Sequence, residues 1–381
     1  MLVGHPDSPP VVGLLARGLA SREHSVSVVV PAPGRLSEMA MRDGIAHYFV
    51  NVRSSLTTNS FAVKRLIDVS AMAELRRLFR SEKPDIIGLH LLRGRVLGRL
   101  ASVAWGPRVV STVHGLDLDH EGYACMDRLT RWIDSMTVAV SADTQAYMLA
   151  KGYDSRKVST IHNGFDIREA DAVQCQRGSI RAGLAISPDQ PVIGMVAYMY
   201  PHVKGHETFL RAAKLVHQEN PYVRFAILGG PLYNVDQWYE KSLHDLSENL
   251  GLKDSVMFIG NQPSALPFMD AMDIIVLPSN VREGFGMVLV EAMSRRKPVI
   301  GSRIGGIPEV VDDGVTGVLV PPGQERDLAS AMLGLIGNPQ LMTAMGVQGR
   351  LRAETHFSLD RMVDRYEEQY MAVVSGEEVV C

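Results

Sequence analysis

The segment REGFGMVLVEAM, residues 282–293, places Glu283 and Glu291 eight residues apart with a Gly-Phe-Gly turn after the first. The run before it, DIIVLPS, is apolar and β-branched, which is typical of a buried parallel strand. The run after the turn is typical of a helix. Gly284 and Gly286 allow backbone angles and a close approach that other residues resist. The segment therefore predicts a strand, a glycine turn and a helix N-terminus, which together form a ready anion site.

The spacing of the two glutamates limits the chemistry they can do together. Eight residues of helix span ~12 Å, so Glu283 and Glu291 do not form a tight catalytic pair. They suit an elongated ligand with an anionic middle and hydroxyl-bearing ends, because carboxylates accept several hydrogen bonds. A sugar nucleotide has this layout. The alternative interpretation is a surface loop capped by Glu283, with Glu291 a solvated helix residue.

Strand-like and helix-like runs alternate along the chain in two series, which predicts βαβ units and parallel sheets. The predicted strands are SVSVVVP, PDIIGLH, PRVVSTVHG and SMTVAVS in the first series, and PVIGMVAYMY, VRFAILGG, SVMFIGN, DIIVLPS, KPVIGS and GVLVPP in the second. We therefore predict an α/β protein of two Rossmann-like doubly wound domains facing across a cleft. The first comprises residues 1–168 with a returning helix in 358–381, and the second comprises residues 169–357.

The composition agrees with a globular protein of two domains. The chain has 381 residues, of which 46% are hydrophobic and 21% charged, and ~150–200 residues per domain is ordinary. No apolar run approaches the ~20 residues of a membrane span, and no basic and apolar leader opens the chain. The three cysteines lack metal or redox spacing, which favours a cytoplasmic location.

Positive charge is concentrated in the first part of the chain. Residues 1–165 hold 20 Lys and Arg against 15 Asp and Glu, although the whole chain has a net charge of −3. The basic region within residues 64–99 contains Lys64, Arg65, Arg76, Arg77, Arg80, Lys83, Arg93, Arg95 and Arg99. It is interpreted as a solvated helix face, or alternatively as a surface for peripheral contact with an anionic membrane or acceptor. A slightly acidic chain without a reader motif gives no indication of nucleic-acid binding.

Two further residues follow predicted strands at positions that suit a ligand. Lys204 lies between the strand VIGMVAYMY and a helical run, where a lysine is well placed for phosphate. His114 follows the strand RVVSTV and can face the cleft, although a lone histidine is more often structural.

Together these features resemble the family-4 retaining glycosyltransferases, which have the two-domain GT-B fold. Residues 282–323 carry the E-x7-E signature and the Gly-Gly-x-x-Glu turn of Gly305, Gly306 and Glu309. Residues 140–166 are similar to the lead-in to the interdomain junction, and FSLDRMVDRYEEQY is similar to the closing helix that crosses back to the N-terminal domain.

The resemblance implies a role for each matching residue. Lys204 would hold the diphosphate of a nucleotide sugar, Glu283 the sugar hydroxyls, and Glu291 the ribose. Backbone amides at the turn would contact sugar and phosphate; these belong to Gly284, Phe285, Gly286 and Met287. Gly4 would begin the glycine-rich loop after the first strand, and His114 would lie beside the reacting sugar as a catalytic residue with Glu283. Family members retain the anomeric configuration and need no metal or other cofactor.

The sequence departs from the family pattern where an arginine normally precedes the lysine. Here Tyr198 occupies the end of the strand, and a tyrosine brings no charge to a phosphate. Arg282, Arg303 or His202 would have to substitute, or the diphosphate is held less firmly. The stretch Asp117-Leu118-Asp119, together with His114 and His120, could also suggest a metal cluster. That motif belongs to a different, single-domain glycosyltransferase fold, so no metal is expected.

The main hypothesis is a retaining transferase that moves a hexose-type sugar from a nucleotide diphosphate sugar, most often a UDP sugar in the family. The acceptor would be a saccharide, a lipid-linked saccharide or a small natural product. The alternatives are a catalytically impaired partner or scaffold with the same fold, and a sugar-nucleotide epimerase or phosphorylase. A nicotinamide dehydrogenase is disfavoured because no G-x-G-x-x-G follows a strand.

Overall fold

A computed structural model describes residues 1–4, 10–51, 68–90, 92–103, 107–115, 121–231 and 237–377, with main chain alone at 92, 93 and 121–123. The chain divides into two units. The first unit comprises Met1–Gly164 with Leu359–Cys381, and the second comprises Phe165–Ser358. Each has its own parallel sheet and its own hydrophobic core.

The first unit is built on a parallel sheet of seven strands among the described residues, in the order β3-β2-β1-β4-β5-β6-β7. The strands are β1 (Leu2–Val3), β2 (Ser27–Val30), β3 (Ala46–Phe49), β4 (Ile86–His90), β5 (Arg108–Val113), β6 (Met136–Ala139) and β7 (Val158–Thr160). The strand order reverses between β1 and β4, and such a switch point opens a crevice at the carboxyl ends of the strands.

Helices cover both faces of this first sheet. They are α1 (Pro10–Ala20), α2 (Arg35–Arg42), α3 (Val69–Glu82), α4 (Leu92–Ser102), α5 (Glu121–Thr130) and α6 (Ala142–Ala150). The chain returns to this unit in its last helix, Leu359–Ser375, which packs against α1 so closely that a Cβ on Gly18 would lie 2.3 Å from Val363. The predicted return of the C-terminal helix is therefore confirmed.

Two arginines of the basic region lie in the interior and not on a surface. Arg99 is fully buried between Asp134 and Asp127, with Nε donating to Asp134 Oδ1 at 2.8 Å and Nη1 donating to Asp127 Oδ1 at 2.8 Å. Arg95, also fully buried, donates from Nη1 to the carbonyl oxygen of Thr112. The interpretation of residues 64–99 as one exposed basic face is wrong for these two residues, because carboxylates from α5 and from the turn before β6 neutralise their charge inside the unit.

The second unit contains a parallel sheet of six strands within its described residues, in the order β10-β9-β8-β11-β12-β13. The strands are β8 (Val192–Val196), β9 (Arg224–Leu228), β10 (Val256–Gly260), β11 (Ile274–Leu277), β12 (Val299–Ser302) and β13 (Gly317–Val320). The order reverses between β8 and β11, so the second switch point lies between these two strands.

The helices of the second unit pack on its two sheet faces around a core of buried aliphatic and aromatic side chains. They are α7 (Ile167–Ala172), α8 (Arg177–Gly183), α9 (His206–Glu219), α10 (Gln237–Asn249), α11 (Leu266–Ala271), α12 (Met287–Ser294), α13 (Ile307–Val310), α14 (Glu325–Ile336) and α15 (Pro339–His356), which makes the returning helix α16. Among the described residues, no helix is both long and apolar enough to span a membrane.

Candidate active site

The candidate site of the second unit lies at the switch point of its sheet. Lys204 belongs to the loop that follows β8, and Glu283 belongs to the loop that follows β11. These strands are hydrogen-bonded neighbours, so their following loops meet at the carboxyl edge of the sheet. Ligands of doubly wound sheets bind at this position. The two residues singled out from different parts of the sequence are therefore brought together.

Lys204 and Glu283 form a direct ion pair. The Nζ atom of Lys204 donates to both carboxylate oxygens of Glu283 at 2.7 Å. The hydroxyl of Ser279, at the end of the β11 segment and fully buried, donates to Glu283 Oε2 at 3.1 Å. The side chains of Lys204 and Glu283 keep 26% and 18% of their surface exposed. The pair is therefore supported by Ser279 and remains partly accessible to a ligand.

A glycine pair holds the backbone of Glu283 in place. The N–H of Gly306 donates to the carbonyl oxygen of Glu283 at 2.8 Å. Gly305 has a φ of +61°, and a Cβ at this position would lie 2.2 Å from the same oxygen. Only glycine accepts both this backbone angle and this close contact. The Gly-Gly turn in the sequence thus serves to position Glu283.

The loop of Lys204 is tied to the loop of Glu283 by backbone contacts. The N–H of Asn280 donates to the carbonyl oxygen of Val203 at 2.9 Å, and the hydroxyl of Thr208 donates to Asn280 Oδ1. Gly205 has a φ of +79°, and a Cβ there would lie 1.8 Å from the carbonyl oxygen of Pro278. The two loops therefore form one connected support for the ion pair.

The glycine turn after Glu283 leads directly into helix α12. Phe285 is 3% exposed and packs edge-on against Phe357 with ring centroids 5.4 Å apart, which anchors the turn. Gly286 has a φ of +94° and precedes Met287, the first residue of α12. The first N–H groups of a helix lack carbonyl partners within it. Glu291 is half-buried one turn further along α12. The turn thus combines backbone donors with a carboxylate on the following helix.

Four residues could replace the arginine that the family pattern places before the lysine, and the structure gives each of them different surroundings. Tyr198 is 50% exposed in the loop after β8. His202 lies 3.2 Å from Glu207, and Arg303 lies 2.5 Å from Asp313, so both have carboxylate partners that reduce their value for a phosphate. Arg282 is half-buried and adjoins Glu283 in sequence. Its place beside Glu283 keeps Arg282 among the candidates for a phosphate contact.

In the first unit, His114 lies just beyond the carboxyl end of β5 and contacts a second histidine. Its Nε2 atom is 3.0 Å from Nδ1 of His90, which ends the neighbouring strand β4. Burial and, to a smaller extent, the charge of nearby Arg95 lower the pKa of His114 to about 4. His114 is therefore neutral at pH 7.

Gly4 follows β1, and its N–H donates to the carbonyl oxygen of Val29 at 2.9 Å. Asp117, Asp119, His120, Lys64 and Arg65 lie outside the described residues.

Sequence reasoning did not identify Ser279 and His90. Each ends a β-branched apolar run, Ser279 in DIIVLPS and His90 in PDIIGLH. Because carboxyl ends of parallel strands meet at one edge, a polar residue at the end of such a run is the signal that could have revealed both.

The chain matches two family models that divide it near the boundary between the units. Residues 11–169 match Glycosyltransferase Family 4, and residues 176–352 match Glycosyl transferases group 1. The chain is similar to N-acetyl-alpha-D-glucosaminyl L-malate synthase of Bacillus anthracis, with 26% identity over 96% of this chain and 94% of that one. It is also similar to UDP-Gal:alpha-D-GlcNAc-diphosphoundecaprenol alpha-1,3-galactosyltransferase of Escherichia coli, with 25% identity over 93% and 91% of the two chains.

The fold is that of known two-domain transferases. Anabaena HepE in complex with UDP and glucose has a TM-score of 0.84 to this structure, with 22% identity over 97% of this chain and 98% of that one. Two parallel α/β units of this kind form the GT-B fold. With both family models matched and the E-x7-E segment built into the second unit, the chain belongs to the group 1 glycosyltransferases of family 4.

Proposed function

We propose that the protein transfers a hexose-type sugar from a nucleoside diphosphate sugar to an acceptor with retention of configuration. The observation that carries the proposal is the Lys204–Glu283 ion pair at the switch point between β8 and β11. A cation and a carboxylate side by side match the two adjoining parts of such a donor, its diphosphate and its sugar hydroxyls.

Each residue of the site has a proposed role. Lys204 binds the diphosphate, and Glu283 accepts hydrogen bonds from the sugar hydroxyls. The backbone N–H groups from Gly284 to Met287 contact sugar and phosphate, and Glu291 binds the ribose. Tyr198 and Arg282 add phosphate contacts. In the first unit, His114 is proposed as the catalytic residue that contacts the reacting sugar, and Gly4 as the start of its loop.

This arrangement supports catalysis by electrostatic stabilisation. Negative charge develops on the nucleoside diphosphate as it departs, and prearranged cations and N–H groups stabilise that charge most strongly in the transition state. Lys204 and the N-terminus of α12 supply such groups without a metal ion. We therefore propose that the reaction requires no divalent metal.

Two of the similar proteins support uracil as the base of the donor. The Anabaena HepE structure holds UDP and glucose, and the galactosyltransferase of Escherichia coli is named for UDP-Gal. The names of two relatives indicate different acceptors: one is an N-acetyl-alpha-D-glucosaminyl L-malate synthase, and the other acts on alpha-D-GlcNAc-diphosphoundecaprenol. We propose a UDP-hexose donor and a saccharide, lipid-linked or small-molecule acceptor.

The test is a transfer assay with the full chain. UDP-, GDP-, ADP- and dTDP-hexoses are incubated with malate, inositol phosphate and a polyprenyl-diphosphate sugar, and products are followed by mass spectrometry, with proton NMR for the anomeric configuration. We expect transfer from a UDP-hexose with retention and unchanged rates in EDTA. An inverted product contradicts the retaining mechanism, and activity that is lost in EDTA and restored by Mn²⁺ contradicts metal independence.

A second candidate function is a non-catalytic partner that keeps the fold. The observation that favours it is Tyr198, an uncharged residue where the family pattern has an arginine. Nucleoside diphosphate binding together with no transfer and no donor hydrolysis, over the full panel, would support this second candidate against the first.

We also propose peripheral contact with an anionic membrane at the amino-terminal edge of the first sheet. Exposed Arg80, Lys83 and Arg108 line a groove of about 580 Å³ together with Phe79, Val374 and a single acidic residue, Asp85. Basic rims attract anionic lipid at low ionic strength. Cosedimentation with phosphatidylglycerol vesicles should fall in Lys83→Glu/Arg108→Glu and stay unchanged in Lys241→Glu, which changes an exposed lysine of α10. Equal binding by both variants contradicts the proposal.

A further inference from the structure

The first unit contains a histidine pair at the carboxyl edge of its sheet. His90 ends β4, and His114 follows the adjacent strand β5. His90 Nδ1 lies 3.0 Å from His114 Nε2, and the ring centroids are 5.3 Å apart. His90 is 1% exposed, so its ring is enclosed by the unit. Contact with the buried ring of His90 therefore holds the ring of His114 in place, next to the switch point between β1 and β4.

Both imidazoles are neutral at pH 7. Burial lowers the pKa of His90 well below its ordinary value, and His114 and Arg95 add to the effect. The pKa of His114 is lowered to about 4 by the same causes, burial and then Arg95. A neutral imidazole carries one N–H and one acceptor nitrogen. A hydrogen bond between two neutral imidazoles thus links the tautomer of one ring to the tautomer of the other.

The surroundings of His90 indicate which ring donates. Its second nitrogen, Nε2, is buried and has no hydrogen-bond partner among the described residues. An unpaired buried acceptor is tolerated more readily than an unpaired buried N–H. Either direction of the bond leaves one N–H without a partner there, on His90 Nε2 or on His114 Nδ1, and His90 is 1% exposed whereas His114 is half-buried. The proton of His90 therefore belongs on Nδ1.

We propose that His90 is a positioning residue whose Nδ1–H donates to His114 Nε2, so that the proton of His114 resides on Nδ1 and is offered to an oxygen of the donor sugar. His114 Nδ1 is buried and has no partner among the described residues, so a proton there lacks an acceptor until a ligand supplies one. The inference rests on the proposed function, because it gives His114 a sugar to bind. It assigns to a buried strand residue the task of selecting one tautomer.

The test compares three substitutions of His90 that differ in where they place a polar group. In His90→Asn the amide nitrogen can occupy the place of Nδ1, in His90→Gln the amide lies nearer the place of Nε2, and His90→Phe keeps the ring without a hydrogen bond. We expect His90→Phe and His90→Gln to lose about 10–100-fold in kcat, by analogy with other residues that orient a functional histidine. Affinity for UDP should remain unchanged, and His90→Asn should recover most of kcat.

A spectroscopic readout tests the tautomer without relying on activity. Long-range ¹H–¹⁵N spectra of the imidazole nitrogens, assigned with His114→Asn, should show His114 protonated on Nδ1 in the wild type and a mixture of tautomers in His90→Phe. Protonation of His114 on Nε2 in the wild type, or an unchanged tautomer in His90→Phe, overturns the inference. If His114→Asn retains full turnover, the proposed role of His114 in transfer fails instead, and the spectra still decide whether His90 sets its tautomer.

Discussion

Lys204 and Glu283 come from loops after two different strands, yet the lysine Nζ lies 2.7 Å from each oxygen of the glutamate carboxylate. Each group neutralises the other before any donor is present. Ser279 and the Gly305–Gly306 turn hold the glutamate, and Gly205 holds the loop of the lysine. The pair is therefore preorganised, and a donor finds both groups in place.

Replacing Glu283 by glutamine separates its two effects on the donor. The amide keeps the size of the side chain but loses the charged contact to the sugar, so turnover should fall by about 100-fold. Binding of UDP alone should become several-fold tighter, because the charge of Lys204 is no longer shared with a carboxylate; both groups are partly exposed, which keeps the gain modest. Calorimetry and turnover, with Glu219→Gln on α9 as the control, measure both effects. Unchanged turnover or weaker binding of UDP contradicts the assignment.

The glycine turn behind Glu283 can be tested with two matched alanine substitutions. Gly305→Ala places a Cβ 2.2 Å from the carbonyl oxygen of Glu283, whereas Gly314→Ala has a similar φ of +78° and nothing within 4 Å. Both variants bear a backbone strain of roughly 1 kcal/mol. Only Gly305→Ala should lose a further ~1–3 kcal/mol in the free energy of unfolding and lose turnover more than tenfold. Equal losses in both variants would mean that the close contact has no role.

The buried His206 should make the protein sensitive to mild acid. Burial lowers its pKa to about 4 in the folded state, against about 6.5 in an unfolded chain. As the pH falls below 6.5, the unfolded chain takes up the proton first, so the stability present above that pH is lost toward pH 4. Between pH 7 and pH 5 the loss from this residue is about 2 kcal/mol.

Urea denaturation of His206→Met at the two pH values measures that contribution. The variant should lose about 2 kcal/mol less than the wild type over this range. His244→Gln, which changes an exposed histidine, should follow the wild type. A pH dependence identical in all three proteins would contradict the account of His206.

Arg99 should be essential for the stability of the first unit. It lies fully buried between Asp127 and Asp134, and its loss would leave Asp134 without its cation and Asp127 with only the more distant Arg95. Arg99→Met should therefore lower the free energy of unfolding by about 3–5 kcal/mol. Arg77→Met, at an exposed position on α3, should change it by less than ~0.5 kcal/mol. A loss below ~1 kcal/mol for Arg99→Met would show that the pairs are not structural.

The sequence pattern predicted the alternating strands of both sheets because long β-branched runs are distinctive. It did not predict β1, β3 and β7. β1 has two residues and β7 has three, too few for a periodic signal, and β3 is an edge strand with half its residues exposed. The sequence also did not show that Arg95 and Arg99 are buried while other arginines of residues 64–99 are exposed. This difference depends on Asp127 and Asp134, which come later in the chain and pack against the two buried arginines.

The candidate site was predictable in its residues but not in its contacts. Glu283 and Lys204 were identified by their places after strands, and the adjacency of β8 and β11 follows from doubly wound topology. The direct ion pair, its support by Ser279 and the contact of His90 with His114 depend on side-chain packing between segments far apart in sequence. The need for glycine at positions 205 and 305 could not be predicted either, because the carbonyl oxygens that lie close to Gly205 and Gly305 belong to other loops.

The most direct test of the account is calorimetric titration of the wild type and of Lys204→Ala with UDP, GDP, ADP and dTDP, beside Lys241→Ala as a control on exposed α10. We expect the wild type to prefer UDP, Lys241→Ala to match it, and Lys204→Ala to bind about 10–100-fold more weakly because a charged contact to phosphate is lost. UDP binding of equal strength in Lys204→Ala, or no binding of any of the four by the wild type, would contradict a diphosphate site between β8 and β11.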